Sequence, residues 1–253
     1  MARVVYGVHP VREALKSGRV QALFVAEGET GAALKEILDA ARSHNVQPIP
    51  RARPQLDALA HGGVHQGALA VVGEYNYAQL DELLQLAKRE GKPPLLMVLD
   101  SVQDPQNLGA LVRSAHVAGV HGVVIPKDRA VGVTPVVVKT SAGATEHVKI
   151  CTVVNVARAL EELKEAGVWI AGAVAAGGSK APWEVDFTVP IALVLGAEGK
   201  GIRPLVLRGC DLLVKIPMFG KVASLNVGAA GAMLLYEVAR QRSVHPPGHG
   251  AGG

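Results

Sequence analysis

Three segments of this chain gather the side chains that could do chemistry: DPQNLGALVRSA at 104–115, LVLGAEGKG at 193–201 and KIPMFGKVASLNVGAAG at 215–231. Between them they hold a carboxamide in Asn107, a guanidinium in Arg113, a carboxylate in Glu198 and a hydroxyl beside a carboxamide in Ser224 and Asn226. Each segment begins where a Val/Leu-rich run gives way to a polar or glycine-rich turn, the place where open α/β sheets bind ligands. Glycines there leave main-chain groups bare enough to touch a ligand. Such a set suits group transfer better than hydride or metal chemistry.

Several other chemistries are excluded by spacing. GAEGKG lacks GxxxxGK[ST], and glycines at 196, 199 and 201 are in the wrong order for a dinucleotide fingerprint. Ser224 has no nearby His and Asp and sits in no GxSxG elbow, so its plain reading is the N-cap of the last helix. Glu198 is balanced between a ligand contact and a solvated turn residue. The nine histidines, including His61, His65, His116 and His121, have no carboxylate or cysteine at ligand spacing, so no metal is expected. Cys151 and Cys210, in separate apolar contexts without CxxC spacing, read as buried hydrophobes. Trp169 and Trp183 read as packing residues.

These groups need elements to position them. Asp104 and Pro105 are an N-cap and first-turn pair, which puts Asn107 in the first turn of a helix. Leu108, Leu111, Val112 and Ala115 form its apolar stripe, leaving Arg113 roughly 150° away and turned from the core. From Leu95 onward the runs LLMVLD, HGVVIP, VKICTVV, VWIAGAVA, IALVLG and DLLVKIP alternate with helical patterns. Near-continuous apolar strands are buried on both faces, which predicts a mainly parallel sheet covered by helices. The last helix, about 225–242, carries Gly228 and Gly231, each unfavourable by up to about 1 kcal/mol against alanine, so something must pack closely there.

The first 73 residues form a separate small α/β unit, with strands at 20–25, 46–49 and 67–72 and helices at about 9–17, 31–44 and 54–60. Residues 74–94, with one amphipathic helix ending in Gly91, Pro93 and Pro94, read as a linker. The tail from 244 lacks apolar content and is expected to be disordered. At 253 residues and 49% hydrophobic the chain can bury a substantial core, and no run is long and apolar enough to span a membrane, which fits the cytoplasm. Net charge is +4 and the sequence pI about 9.1. Arg3, Arg12, Lys16, Arg19, Arg42, Arg51 and Arg53 crowd the N-terminal part, which favours a polyanionic partner there.

The three segments, in order and content, resemble the motifs of the SPOUT superfamily, specifically the SpoU/TrmH-type RNA ribose 2′-O-methyltransferases. The resemblance runs from about Leu95 to Arg242. VVYGVHPVREAL and GGVHQGALAVV resemble the small ribosomal-protein-like RNA-binding domain of the branch that methylates a guanosine of large-subunit ribosomal RNA.

The resemblance implies an α/β fold with a trefoil knot at 95–243, an RNA substrate-binding domain at 1–73 and a homodimer with the active site near the subunit boundary. It implies S-adenosylmethionine as cofactor, held by main-chain groups around Leu195, Gly196, Ala197, Ile216, Pro217, Met218 and Leu225. Arg113 would orient or deprotonate the ribose hydroxyl, Asn107 would position the ribose or Arg113, Glu198 would hold Arg113 or the nucleotide, and Ser224 with Asn226 would shape the pocket. Transfer RNA is the alternative substrate, and a non-catalytic RNA-binding or ribosome assembly factor the alternative class.

Overall fold

The computed structural model describes residues 3–28, 31–175, 179–221 and 224–244. The chain opens with β1 (Arg3–Tyr6), α1 (Val8–Lys16), β2 (Val20–Ala26), α2 (Ala32–Ser43), β3 (Pro48–Arg51), α3 (Arg53–Leu59) and β4 (Ala68–Val72). There follow α4 (Leu80–Glu90), β5 (Leu95–Asp100), α5 (Pro105–Val117), β6 (Gly122–Pro126), α6 (Pro135–Thr140), β7 (Lys149–Val153) and α7 (Val156–Glu165). The remainder is β8 (Trp169–Ala173), β9 (Ile191–Gly196), α8 (Pro204–Arg208), β10 (Leu212–Val214) and α9 (Val227–Val244). Packing divides the chain into two compact units, Met1–Asn76 with Val133–His147, and Tyr77–Gly132 with Val148–Gly253.

In the first unit the strands lie in the order β1-β4-β2-β3, with β4 antiparallel to both neighbours and β3 parallel to β2. Because side chains alternate faces, the cross-strand set Val5, Ala70 and Leu23 points one way and Tyr6, Leu69 and Phe24 the other. The first set is fully buried, as are Val11 and Leu15 of α1 and Ile37 of α2. On the second face Leu56 and Ala60 cluster with Tyr6 and Leu69. Each such aliphatic side chain contributes about 1.5–3 kcal/mol on burial.

The unexpected member is 133–147. Thr134 caps α6 by accepting from the Val137 amide at 3.3 Å, with Pro135 opening the helix. Beyond it, the buried Glu146 carboxylate takes both Arg3 and Arg19, and Glu13 accepts from or pairs with His147 Nε2 at 2.7 Å. Arg3 and Arg19 also stack over the Tyr75 ring, whose hydroxyl donates to Thr145 O at 3.2 Å. Several arginines that composition assigned to a polyanion are therefore engaged internally, Arg12 and Arg42 likewise pairing with Glu36 and Asp39.

The second unit holds an all-parallel sheet in the order β10-β8-β9-β5-β6-β7. Strands β5 and β6 are buried along their whole length, matching the unbroken apolar runs. Of residues 74–94, read as linker, 77–94 belong to this unit and 74–76 to the first. Ala78 bridges to Cys151, and α4 buries Leu83 and Ala87 against the core. The amphipathic stripe that looked like a connector is a helix docked on the sheet. Both cysteines are free, and burial pushes each thiol up to about 11. The two tryptophans are not packing residues: Trp169 is 54% and Trp183 62% exposed. The end of α9 is tied down by Arg242, which donates to the carbonyls of Pro93, Pro94, Phe187 and Val189. Burial among these neutral acceptors lowers its pKa to about 10. The tail expectation, from residue 245 on, lies outside the described residues.

Candidate active site

A cleft opens at the carboxyl ends of β8, β9 and β10, lined by Ala173, Leu195, Val214 and the loops that follow. The first loop is a tight turn after β9. Ala197 and Gly201 bridge across it, the Gly201 amide donating to Ala197 O at 2.8 Å. Gly196 is required here, since a Cβ would overlap the Gly201 carbonyl carbon and the Ile202 amide nitrogen. The turn is stitched to the end of β5 by Asp100, a fully buried carboxylate. Its Oδ1 accepts from Arg203 Nε at 2.7 Å, and its Oδ2 accepts from the Arg203 amide at 2.8 Å. Sequence reading passed over this pair, whose only local signal was an acid closing an apolar strand.

The second element is the start of α9. Asn226, not Ser224, is its cap: the Asn226 carbonyl accepts from the Ala230 amide at 2.9 Å, and Oδ1 accepts from the amides of Gly228 and Ala229 at 2.9 and 3.2 Å. Both residues are good caps by type, and the choice falls to the one whose backbone stands directly before the helix. The Asn226 amide nitrogen then donates to Asn107 Oδ1 at 2.9 Å and to Glu198 Oε1. Glu198 also accepts from the Val227 amide at 3.4 Å. One carboxamide thus joins all three motifs, with Asn107 buried in the first turn of α5, behind its Asp104 cap. A negative group beside a helix start is favoured by the free N–H groups and dipole there.

Close approach makes this junction possible. A Cβ at Gly231 would overlap the Leu111 side chain and lie 3.1 Å from Leu195 Cδ1, so the small residues of α9 admit α5 and β9.

Of the expected cofactor positions, Leu195, Gly196, Ala197, Ile216, Met218 and Leu225 line the cleft, together with Glu198 and Ser224; Pro217 does not. Among the described residues, the amides of Ile216, Met218 and Leu225 donate to no protein acceptor. Arg113 stands apart. It is exposed, turned from the core as the stripe predicted, and lines a second groove with Val117, Leu235 and Tyr236 between α5 and α9. It makes no hydrogen bond to Asn107 or Glu198 in this structure. Among the described residues no group of three or more His, Cys, Asp or Glu side chains is placed to hold a metal ion.

A model of the SpoU rRNA methylase family matches residues 94–236, and one described as RNA 2′-O ribose methyltransferase substrate binding matches residues 4–78. The 23S rRNA (guanosine-2′-O-)-methyltransferase RlmB of Pseudomonas putida is 41% identical over 245 residues, 95% of this chain and 97% of its own length. Its namesake in Coxiella burnetii is 42% identical, covering 96% and 97%. Among solved structures, the SpoU methyltransferase AviRb from Streptomyces viridochromogenes in complex with the cofactor AdoMet has a TM-score of 0.80 at 26% identity, covering 96% of this chain and 91% of its own.

Proposed function

This chain belongs to the SpoU rRNA methylase family, and from that premise we propose that it transfers a methyl group from S-adenosylmethionine to the ribose 2′-hydroxyl of a guanosine in 23S rRNA. The observation that carries the reading is the cleft itself, where apolar walls meet the amides of Ile216, Met218 and Leu225, which donate to no acceptor among the described residues. That donor set fits a cofactor with an adenine edge and an apolar body, read through the main chain. When bound, S-adenosylmethionine supplies a methyl group already activated on a sulfonium, so no metal is needed.

The chain's part is alignment. The Asn226–Asn107–Glu198 junction fixes the loops that line the cleft, which supports a positioning role for these three and for Ser224 on the wall. Arg113 orients the ribose and its phosphate, its guanidinium offering a planar fork of N–H donors and no acceptor. Its place on an exposed face with Val117 (82% exposed), Met233 (51%) and Tyr236 (73%) supports a homodimer through α5 and α9, with Arg113 completing the site across the boundary. Among the described residues no helix is long and apolar enough to cross a membrane. With a ribosomal RNA substrate, the cytoplasm is the proposed location.

The test is transfer of labelled methyl from S-adenosylmethionine to unmodified 23S rRNA and to transfer RNA, with mapping of 2′-O-methylated positions in RNA from a strain lacking the protein. Transfer to ribosomal RNA and loss of one guanosine mark are expected. Transfer to transfer RNA alone overturns the substrate, and RNA binding without S-adenosylmethionine binding overturns the enzyme.

A further inference from the structure

The rim of the cleft carries groups that neither the cofactor nor the junction uses. Phe219 is 95% exposed and follows Met218, a residue that lines the cleft. Its neighbour Gly220 is equally open, for a Cβ there would meet nothing within 4 Å. An aromatic ring held almost wholly in water beside a binding cleft is an unmet contact. Four lysines lie on the loops that follow β8, β9 and β10. Lys200 lies within the 197–201 turn, Lys221 is two residues past Phe219, and Lys215 and Lys180 are neighbours through the Lys215 amide and Lys180 O at 2.9 Å. Among the described residues none of the four has an acidic partner, and the acid on the same rim, Glu198, is taken by Asn226 and Val227.

We infer that Phe219 is a stacking platform for a base of the substrate RNA, with Lys200 and Lys221 meeting the flanking phosphates. The inference rests on the RNA methyltransferase reading and adds positioning residues to it. Charge decides between occupants. A second copy placed symmetrically on this rim would bring like charges together, whereas an RNA strand offers both a π-face for the ring and anions for the lysines. A ribose 2′-hydroxyl can be presented to the cleft only if its nucleotide is held from outside, and Phe219 is an exposed aromatic next to a residue that lines the cleft.

The experiment measures binding and methylation of an in vitro 23S rRNA transcript by the full-length protein. Phe219→Ala and Phe219→Leu are expected to weaken RNA binding by about 5- to 150-fold, the loss of one stacked base. Phe219→Tyr should bind as wild type does, and calorimetric S-adenosylmethionine affinity should be the same in all. The Lys200→Gln/Lys221→Gln pair should flatten the dependence of log K on log salt by about 0.7–1 per lysine. Wild-type affinity in Phe219→Leu overturns stacking, and so does a Phe219→Ala protein whose RNA defect is matched by dissociation of a dimer in sedimentation. An active wild type with unaltered variants overturns this inference alone. A wild type that neither binds nor methylates the transcript overturns the functional reading with it.

Discussion

Replacing Asn226 by alanine removes two things at once, and the structure separates them. The cap is the first: Oδ1 accepts from the amides of Gly228 and Ala229, and loss of such a side chain costs about 1 kcal/mol. The second is the amide donor shared by Glu198 and Asn107; the Asn107 Oδ1 lies in a residue only 7% exposed and would lose its partner, at roughly 1–3 kcal/mol. Together these give about 2–4 kcal/mol, or a Tm lower by roughly 4–16 °C for a chain of this size. Asn226→Ser keeps a capping oxygen but not the amide donor, so it should recover only the first share. Differential scanning calorimetry of the three proteins reads the ladder directly, and S-adenosylmethionine titration should weaken in the same order because the same junction fixes the cleft loops. Equal Tm for the alanine and serine variants would refute the capping assignment. An alanine variant as stable as wild type would refute the junction altogether.

Arg113→Ala should lower methyl transfer by at least about a hundredfold while S-adenosylmethionine binding stays intact, as measured by single-turnover transfer beside calorimetry. Arg203→Ala strands the buried Asp100 carboxylate and should cost about 3 kcal/mol in denaturant unfolding, the low end for a buried pair because the arginine is itself 39% exposed; adding Asp100→Asn should restore part of it. His121 is buried, its Nε2 lies 4.0 Å from Glu90 Oε2 with no hydrogen bond among the described residues, and burial outweighs that carboxylate to lower its pKa from the usual 6.5. The folded state therefore disfavours the charged ring, so its contribution is whole above about pH 6.5 and falls away as pH drops through the lower folded value; an His121→Gln chain should lose that slope in urea melts at stepped pH.

How much of this was legible depends on distance along the chain. The β5–α5 segment was, because strand, cap and helix stripe are written within 95–117 and Asp104 with Pro105 fixes where the helix starts. The parallel sheet followed from unbroken apolar strands, but its order did not, since that order is set by crossovers. Choosing Asn226 over Ser224 as the cap required the backbone, as either side chain could serve. The Asp100–Arg203 pair joins residues 103 apart and carries no local mark. Arg113 was oriented correctly by periodicity, and the same 100° per residue sets it about 120° around α5 from Asn107.

The segment 133–147 bears on synthesis. The first unit borrows α6 and Glu146 from beyond a long stretch of the second, and its buried Val137 and Val138 and the partner of Arg3 and Arg19 come from there. A ribosome adding about 5–20 residues per second must therefore deliver residues 77–132 before the N-terminal unit can close. The two units cannot be made one after the other, and a polypeptide cut at residue 76 would leave an N-terminal piece without its acid and a C-terminal piece carrying two valines that have lost their cover.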